Sequence, residues 1–469
     1  MKSFKFFALA ALAAAMVISC DKTDPREEES TFEIGVAQEN NSISLNIVPS
    51  NTAAEYVAGL VIEDEYPGEE GLTAWIEQRV AEGTDVPFSG NWSGLFSDLF
   101  WHTKYYAYVA QIYEGKVVGT PDVKEQLVYR PYVEFAPEGA VIAPIAVSDN
   151  GQWVVGNLND GTSPVSYIYD VRRDKLTTVE GVLFYDVADD GTAYGKDLMV
   201  PIIYKDGEIT TVTAPSGAME TGFYGVTPDG SVAVGYSMDE MWNNNAIIYE
   251  NGTLGNLTGT DLNGKTPAGI VAKGIGRNGN IAGYLVDYDT YAEVGCLWTG
   301  AAHTFDLFPK DMMVWNQDLL DGGGAFEKRY GDLEIKISPD GRYLAGYVYI
   351  TESWEYMPQF AYVYDTETKN MYEISDDAYS GWRPCAVTSD GVLFLANVSM
   401  GISDQPYVYD ISTGSVQTFA EYASAKYGYD PEGVNIQGSV LAVSEDASVI
   451  VGNYADDSAF YTTIYFMPR

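Results

Sequence analysis

One short motif recurs seven times in the C-terminal two-thirds of the chain, and nothing else in the sequence limits the fold as strongly. Each copy has an apolar lead, then Ser/Thr-x-Asp/Asn-Gly or a close variant, then a hydrophobic strand usually closed by Gly. The copies occupy 146–156, 186–195, 225–235, 274–283, 336–346, 386–396 and 442–452. Asp-Gly and Asn-Gly supply the positive φ of a tight hairpin, and Ser, Thr or Asp beside them can hydrogen-bond the turn backbone. The last copy has Ala447 where the others have Gly, which predicts a looser turn there.

Each motif is followed by a third apolar strand, at 167–170, 202–205, 247–250, 296–299, 362–365, 407–410 and 463–466. Six of the copies also have a fourth, at 175–179, 208–212, 253–257, 303–307, 370–374 and 415–419. Four short strands per repeat are a propeller blade. The strand absent after the seventh copy is expected from Tyr132-Val133-Glu134-Phe135, which would join the ends of the ring and remove exposed edges. The expected fold is all-β: a small β-sandwich with one inserted helix over 31–130, then a seven-bladed β-propeller over 131–469. The repeat resembles HAF-type extracellular repeats and, more loosely, WD-repeat and TolB-like propellers. That resemblance implies a fold and an extracytoplasmic setting, and no reaction.

Motif starts at 146, 186, 225, 274, 336, 386 and 442 are separated by 40, 39, 49, 62, 50 and 56 residues. The first-to-second and third-to-fourth turns stay short. The added residues therefore fall in the second-to-third loops and in the connections between repeats, which open on one propeller face. These segments are rich in aromatics, including Tyr236, Trp242, Tyr288, Tyr291, Trp315, Phe326, Tyr330, Trp354, Tyr356, Tyr379, Trp382, Tyr422, Tyr427 and Tyr429, with Arg383 beside Trp382. The candidate ligand face is Trp242, Trp315, Trp354, Tyr356, Trp382, Arg383 and Tyr429, since flat rings with polar neighbours suit sugar faces or a protein partner.

Charge narrows the partners. With 67 acidic and 26 basic residues, the formal net charge is −41. Such a surface repels phosphate backbones and argues against nucleic acid. Two histidines, His102 and His303, allow no Ser-His-Asp set and no His/Cys metal cluster. His102 is read as structural, and Cys296 and Cys385 as small buried residues. No cofactor is implied, although loop carboxylates leave structural calcium open. The pairs Asp189-Asp190, Asp376-Asp377 and Asp456-Asp457 are the obvious carboxylates for an enzymatic reading.

The first 19 residues have a signal-peptide pattern: Lys2 and Lys5, then an apolar run from Phe6 to Ile18 too short to span a bilayer. Val17-Ile18-Ser19-Cys20 resembles the lipobox of bacterial lipoproteins, which implies lipidation at Cys20 and attachment to a membrane through lipid alone. Residues 20–30 read as an acidic tether. Their charge resembles the surface-export signal of Bacteroidetes-type lipoproteins, implying an outer-membrane location that faces the medium.

Between tether and propeller, 31–38 and 42–48 alternate apolar and polar residues as a hairpin, and 56–62 is a third strand. Leu72, Trp75, Ile76 and Val80 have helical spacing, with Gly83 as a stop. The stretch 99–109, with Thr103, Tyr105, Tyr106, Tyr108 and Val109, resembles a strand of fibronectin type III-like modules. That implies a spacer. Three functions stay open: a surface module that binds a glycan or protein partner, a carbohydrate-active hydrolase or lyase using loop carboxylates on the same face, and a scaffold.

Overall fold

The computed structural model describes residues 28–135, 141–159, 164–307, 310–316, 318, 325–351, 356–375, 382–397, 406–428, 439–455 and 460–467. Cys20, Trp354, Tyr379, Tyr429 and the pairs at 376–377 and 456–457 lie outside the described residues. The chain is all-β and divides between Tyr129 and Arg130 into two compact units.

The first unit has two three-stranded antiparallel sheets. Phe32–Glu39, Ser42–Pro49 and Trp92–Phe96 form one, and Tyr56–Ile62, Thr103–Tyr113 and Lys116–Val128 the other. Alternation in Ser42–Pro49 buries Ile43, Leu45 and Ile47, which pack with Tyr105, Ala107 and Val109 of the other sheet. The helix Gly68–Ala81 buries Leu72 and Ile76 against Val57, Val61 and Tyr108. His102 packs edge-on against Tyr129, their centroids 5.6 Å apart. The strand Trp92–Phe96 has no counterpart in the sequence reading, because Gly94 breaks its short apolar run.

Among the described residues, the second unit holds seven antiparallel sheets, which we number in chain order. The first six begin at Val141–Val147, Leu183–Val187, Ala218–Val226, Gly269–Ile275, Val314–Asn316 and Trp382–Val387. The seventh joins Ser439–Val443, Val449–Ala455 and Phe460–Phe466 to Tyr132–Phe135, with Tyr465 opposite Tyr132 and Thr462 opposite Phe135. The fifth carries an extra strand, Val314–Asn316, folded onto the start of its inner strand Ala325–Ile337. Each sheet's inner strand packs on the next sheet's inner strand, and that of Ser439–Val443 packs on Val141–Val147. Sheets cycling about an axis in this way form a β-propeller.

The turn motif explains itself in hydrogen bonds. The hydroxyls of Ser148, Thr227, Ser338 and Ser444 donate to Asn150, Asp229, Asp340 and Asp446 at 2.8, 2.7, 2.5 and 3.1 Å, and Thr388 donates to Asp390 in the same way. Each hydroxyl also accepts an N–H from the next strand, from Trp153, Val232, Tyr343, Val449 and Val392. The turn glycines Gly151, Gly191, Gly230, Gly279, Gly341 and Gly391 sit at φ between 70° and 82°. Ala447 does not loosen the seventh turn, contrary to the sequence expectation. It takes φ 56°, its N–H donates to the Ser444 carbonyl at 2.9 Å, and its methyl is buried in the core. Packing of that methyl offsets the cost of a left-handed alanine.

Candidate functional site

Three features of the second unit concern function: a rim of exposed rings, a cationic cluster on the inner strands, and an acidic cluster where the motif turns meet.

The rim is built by one device used in consecutive sheets. Asp197, Asp239 and Asp287 end or follow the second strands of sheets two, three and four. Asp197 accepts the N–H groups of Met199 and Val200, Asp239 those of Met241 and Asn243, and Asp287 those of Asp289 and Thr290. Each carboxylate thus fixes a short loop from inside. Large apolar side chains then project outward: Leu198 and Met199, Met241 and Trp242, Tyr288 and Tyr291. Trp242 is 70% and Tyr291 71% exposed, and both hold left-handed backbone, at φ 66° and 56°. Bulky residues seldom adopt that conformation, so an exposed ring held there points to use. The connection between sheets three and four reaches the same rim, where Lys265 pairs with Asp289 at 2.6 Å and lies over the Tyr288 ring.

The cationic cluster stands inside the ring. Glu220 accepts from both Lys196 and the Tyr236 hydroxyl, and Lys196 donates to that hydroxyl at 3.1 Å. Tyr236 stacks on Tyr224 at 4.9 Å, and Tyr224 meets Tyr185 edge-on at 5.0 Å. Lys273 lies 3.9 Å over the Tyr224 ring and 3.2 Å from Glu334. Burial would raise the Glu334 carboxyl, but Lys273, Lys336 and Arg383 together hold it below the usual range. Burial raises the hydroxyls of Tyr185, Tyr224, Tyr236 and Tyr284, the last to about 12, so all four are donors at ordinary pH.

The third feature lies at the motif turns. The residue after the Ser/Thr position is Asp149, Asp189, Pro228, Arg277, Pro339, Ser389 or Glu445 in the seven copies. Arg277, from sheet four, reaches Glu445 of sheet seven at 2.8 Å and Asp149 of sheet one at 3.5 Å. Burial, with Asp186, Asp189 and Glu445 nearby, pushes Asp149 up to about 7. Its bond to Arg277 holds Glu445 low. Asp186, enclosed by the inner strands, is also pushed up to about 7 by burial, although Val187 and Val226 donate to it.

Among the described residues, the expected ligand face is divided between exposed and buried positions. Trp242 is exposed on the rim and Trp315 is 44% exposed on the extra strand beside the inner strand of sheet five. Tyr356 opens the strand Tyr356–Asp365. Trp382 corrects the expectation: it begins a first strand, is buried, and meets Tyr407 edge-on at 4.7 Å. Its neighbour Arg383 alternates to the other side of the strand and joins the cationic cluster. Tyr236, Tyr330 and Tyr422 also fall in regular elements and are buried, so they are not loop rings. Sequence reading missed the cationic cluster, yet a column of the repeat marks it. Two residues before the Ser/Thr position stand Ala146, Asp186, Gly225, Gly274, Lys336, Ala386 and Ala442, two charges in an otherwise small-residue column. Among the described residues, no three His, Cys, Asp or Glu side chains are grouped as a metal ion would require.

No protein-family model matches the chain, and no curated protein matches it. Among solved structures, oligogalacturonate lyase from Vibrio parahaemolyticus is similar at 10% identity and TM-score 0.47, covering 72% of this chain and 97% of that one. The β-propeller domain of the Trilobed protease from Pyrococcus furiosus is similar at 11% identity and TM-score 0.42, covering 70% and 94%. TolB from Acinetobacter baumannii gives 12% identity and TM-score 0.33, covering 73% and 78%.

Proposed function

We propose that the chain is a lipid-anchored surface binding protein, in which a β-sandwich spacer carries a seven-bladed propeller whose loop face takes a glycan or a protein partner. The observation that carries the binding role is the rim. Three consecutive loops, each braced by an internal aspartate, hold Leu198, Met199, Met241, Trp242, Tyr288 and Tyr291 out of the core. Preformed loops spare a ligand the cost of ordering them, and their rings stack on sugar faces or fill a partner's pockets. The lipobox ending at Cys20 and the acidic residues after it support attachment to the bacterial outer membrane, facing the medium. Seven motifs, and the pairing of Tyr132–Phe135 with Phe460–Phe466, support the blade count. The packing of Ile43, Leu45 and Ile47 on the opposite sheet supports the sandwich.

A hydrolase or lyase is favoured by one observation, the split between a raised Asp149 and a lowered Glu445, since an acid and a base need such a pair. These carboxylates lie at the motif turns, at the opposite ends of the inner and second strands from the rim loops, and Glu445 is already engaged by Arg277. The binding reading therefore ranks first. A glycan array probed with the wild type and with Trp242→Ala, Tyr288→Ala and Tyr291→Ala tests it. Signals that fall in at least one of these variants support the rim, and glycan signals indifferent to all three remove it as a glycan site.

A further inference from the structure

The chain has 26 lysines and arginines against 67 acids, so the place where cations gather is informative. Lys196, Lys273, Lys336 and Arg383 come from sheets two, four, five and six and converge inside the ring. Lys196 ends a second strand immediately before the Asp197 loop, which places its end of the cluster beside the rim. The other three stand on inner strands.

Three carboxylates face them, and each is already occupied. Glu220 receives Lys196 and the Tyr236 hydroxyl. Glu334 receives Lys273. Asp186 accepts the Val187 and Val226 N–H groups and, at about 7, carries only part of a charge at neutral pH. Among the described residues, neither Lys336 nor Arg383 makes a direct ion pair. Both side chains are half-buried; both act on Glu334, and Lys336 also on Asp186, only through space. Holding two cationic heads in a partly enclosed site costs free energy unless an anion completes it. In a chain of net charge −41, acids are not scarce, yet among the described residues none forms an ion pair with either head.

We propose that the inner-strand cluster is an anion-binding site, with Lys336 and Arg383 receiving a carboxylate or sulfate carried on a sugar ring. Arg383 supplies the planar fork that matches an oxyanion, and Lys336 a point charge. The hydroxyls of Tyr185 and Tyr284 stand ready as neutral donors to the sugar. The oligosaccharide part of this proposal rests on the loop-face reading, because further sugars would run outward to Trp242, Tyr288 and Tyr291. The anion site itself stands on the inner strands alone.

Titration calorimetry with a hexuronate trisaccharide, a sulfated trisaccharide and a neutral trisaccharide of equal length tests both parts on the full chain. The expected result is binding of at least one acidic sugar at least tenfold tighter than the neutral one. Lys336→Gln and Arg383→Gln should each remove tenfold or more from the acidic sugar, while Lys336→Arg and Arg383→Lys keep a measurable share. Thermal unfolding of every variant identifies any that fails to fold, and the charge-retaining pair then decides. Equal binding of acidic and neutral sugars, no binding of either acidic sugar, or acidic binding unmoved by all four substitutions, overturns the site. Loss in the Lys336 and Arg383 variants with no change in Trp242→Ala upholds the anion site and counts against the rim. The uronate and sulfate arms decide which oxyanion it takes.

Discussion

Asp149→Asn should stabilise the second unit, and only above the acidic range. Asp149 ionises with difficulty: burial raises its carboxyl to about 7 from the ordinary 3.8, helped by Asp186, Asp189 and Glu445 and opposed by Arg277. The folded state therefore holds a proton that the unfolded chain has already released between about pH 4 and pH 7. A folded pKa above the unfolded one means that this group's contribution falls as pH rises through that window and is flat above it. At about 1.4 kcal/mol per pH unit, the distance from 3.8 to about 7 corresponds to roughly 4 kcal/mol. Burial is the largest cause, and the amide that replaces the carboxylate is itself a polar group held in the same place, so the substitution should recover about half, on the order of 2 kcal/mol. The amide keeps the shape of the side chain. It gives up a contact with Arg277 that is only 3.5 Å long, and Arg277 retains Glu445 at 2.8 Å. The assay is chemical or thermal unfolding of wild type and variant from pH 4 to pH 9. The two curves should meet near pH 4 and separate steadily to about pH 7, with the variant more stable above that by roughly 3 °C in Tm for a unit that runs from Arg130 to Arg469. Parallel curves across the whole range, or a variant less stable at pH 8, would refute the account of Asp149 as a carboxylate forced to ionise against its surroundings.

Two glycines with nearly the same backbone separate strain from contact. Gly252→Ala, at φ 74° with open space around it, should cost about 1 kcal/mol, while Gly341→Ala, at φ 81° with a Cβ 2.0 Å from Asn278 Oδ1, should cost roughly 3 kcal/mol in urea unfolding. Thr418→Ala removes the side-chain arm of the capping box with Glu421, leaving the Thr418 N–H on the Glu421 carboxylate, and should cost about 1 kcal/mol, with Thr418→Ser restoring most of it. Trp242→Ala should leave unfolding within about 0.5 kcal/mol of wild type, since its ring is exposed. A larger loss would show that the ring is structural.

What was legible in the sequence followed the backbone. The motif turns could be placed because Ser/Thr, Asp/Asn and Gly each have one local task, and those tasks are done within five residues of chain. Gaps in that legibility arose where the next element was not a strand of the repeat. The helix Phe419–Tyr427 has no counterpart in the sequence reading although Thr418 and Glu421 spell its cap, because Tyr422 and Tyr427 there read equally well as loop rings. Ala447 was misjudged for a different reason. Turn preference favours Gly at that position, but burial of the Ala447 methyl in the core of the seventh sheet favours the same conformation.

The candidate site was harder to read because strand alternation decides it one residue at a time. Trp382 and Arg383 are neighbours in sequence, and the pleat sends the first into the sheet core and the second toward Glu334. Irregularities in the first strands add to this. Sheet two shifts register between Phe184 and Asp186, sheet four between Ala272 and Gly274, and sheet five between Gly331 and Lys336. An extra residue in a strand re-aims the side chains beyond it, so which position of each repeat faces the axis cannot be counted from the strand's start. It can be counted from the turn. Measured back from the Ser/Thr position, Asp186 and Lys336 fall in the same column, and five other sheets fill that column with Ala or Gly. Small residues there let the inner strands approach: a Cβ on Gly225 would lie 2.7 Å from the Gly274 Cα. Two charged side chains in such a column are thus tolerated only where the ring leaves room for them, and the repeat itself supplies the frame in which they stand out.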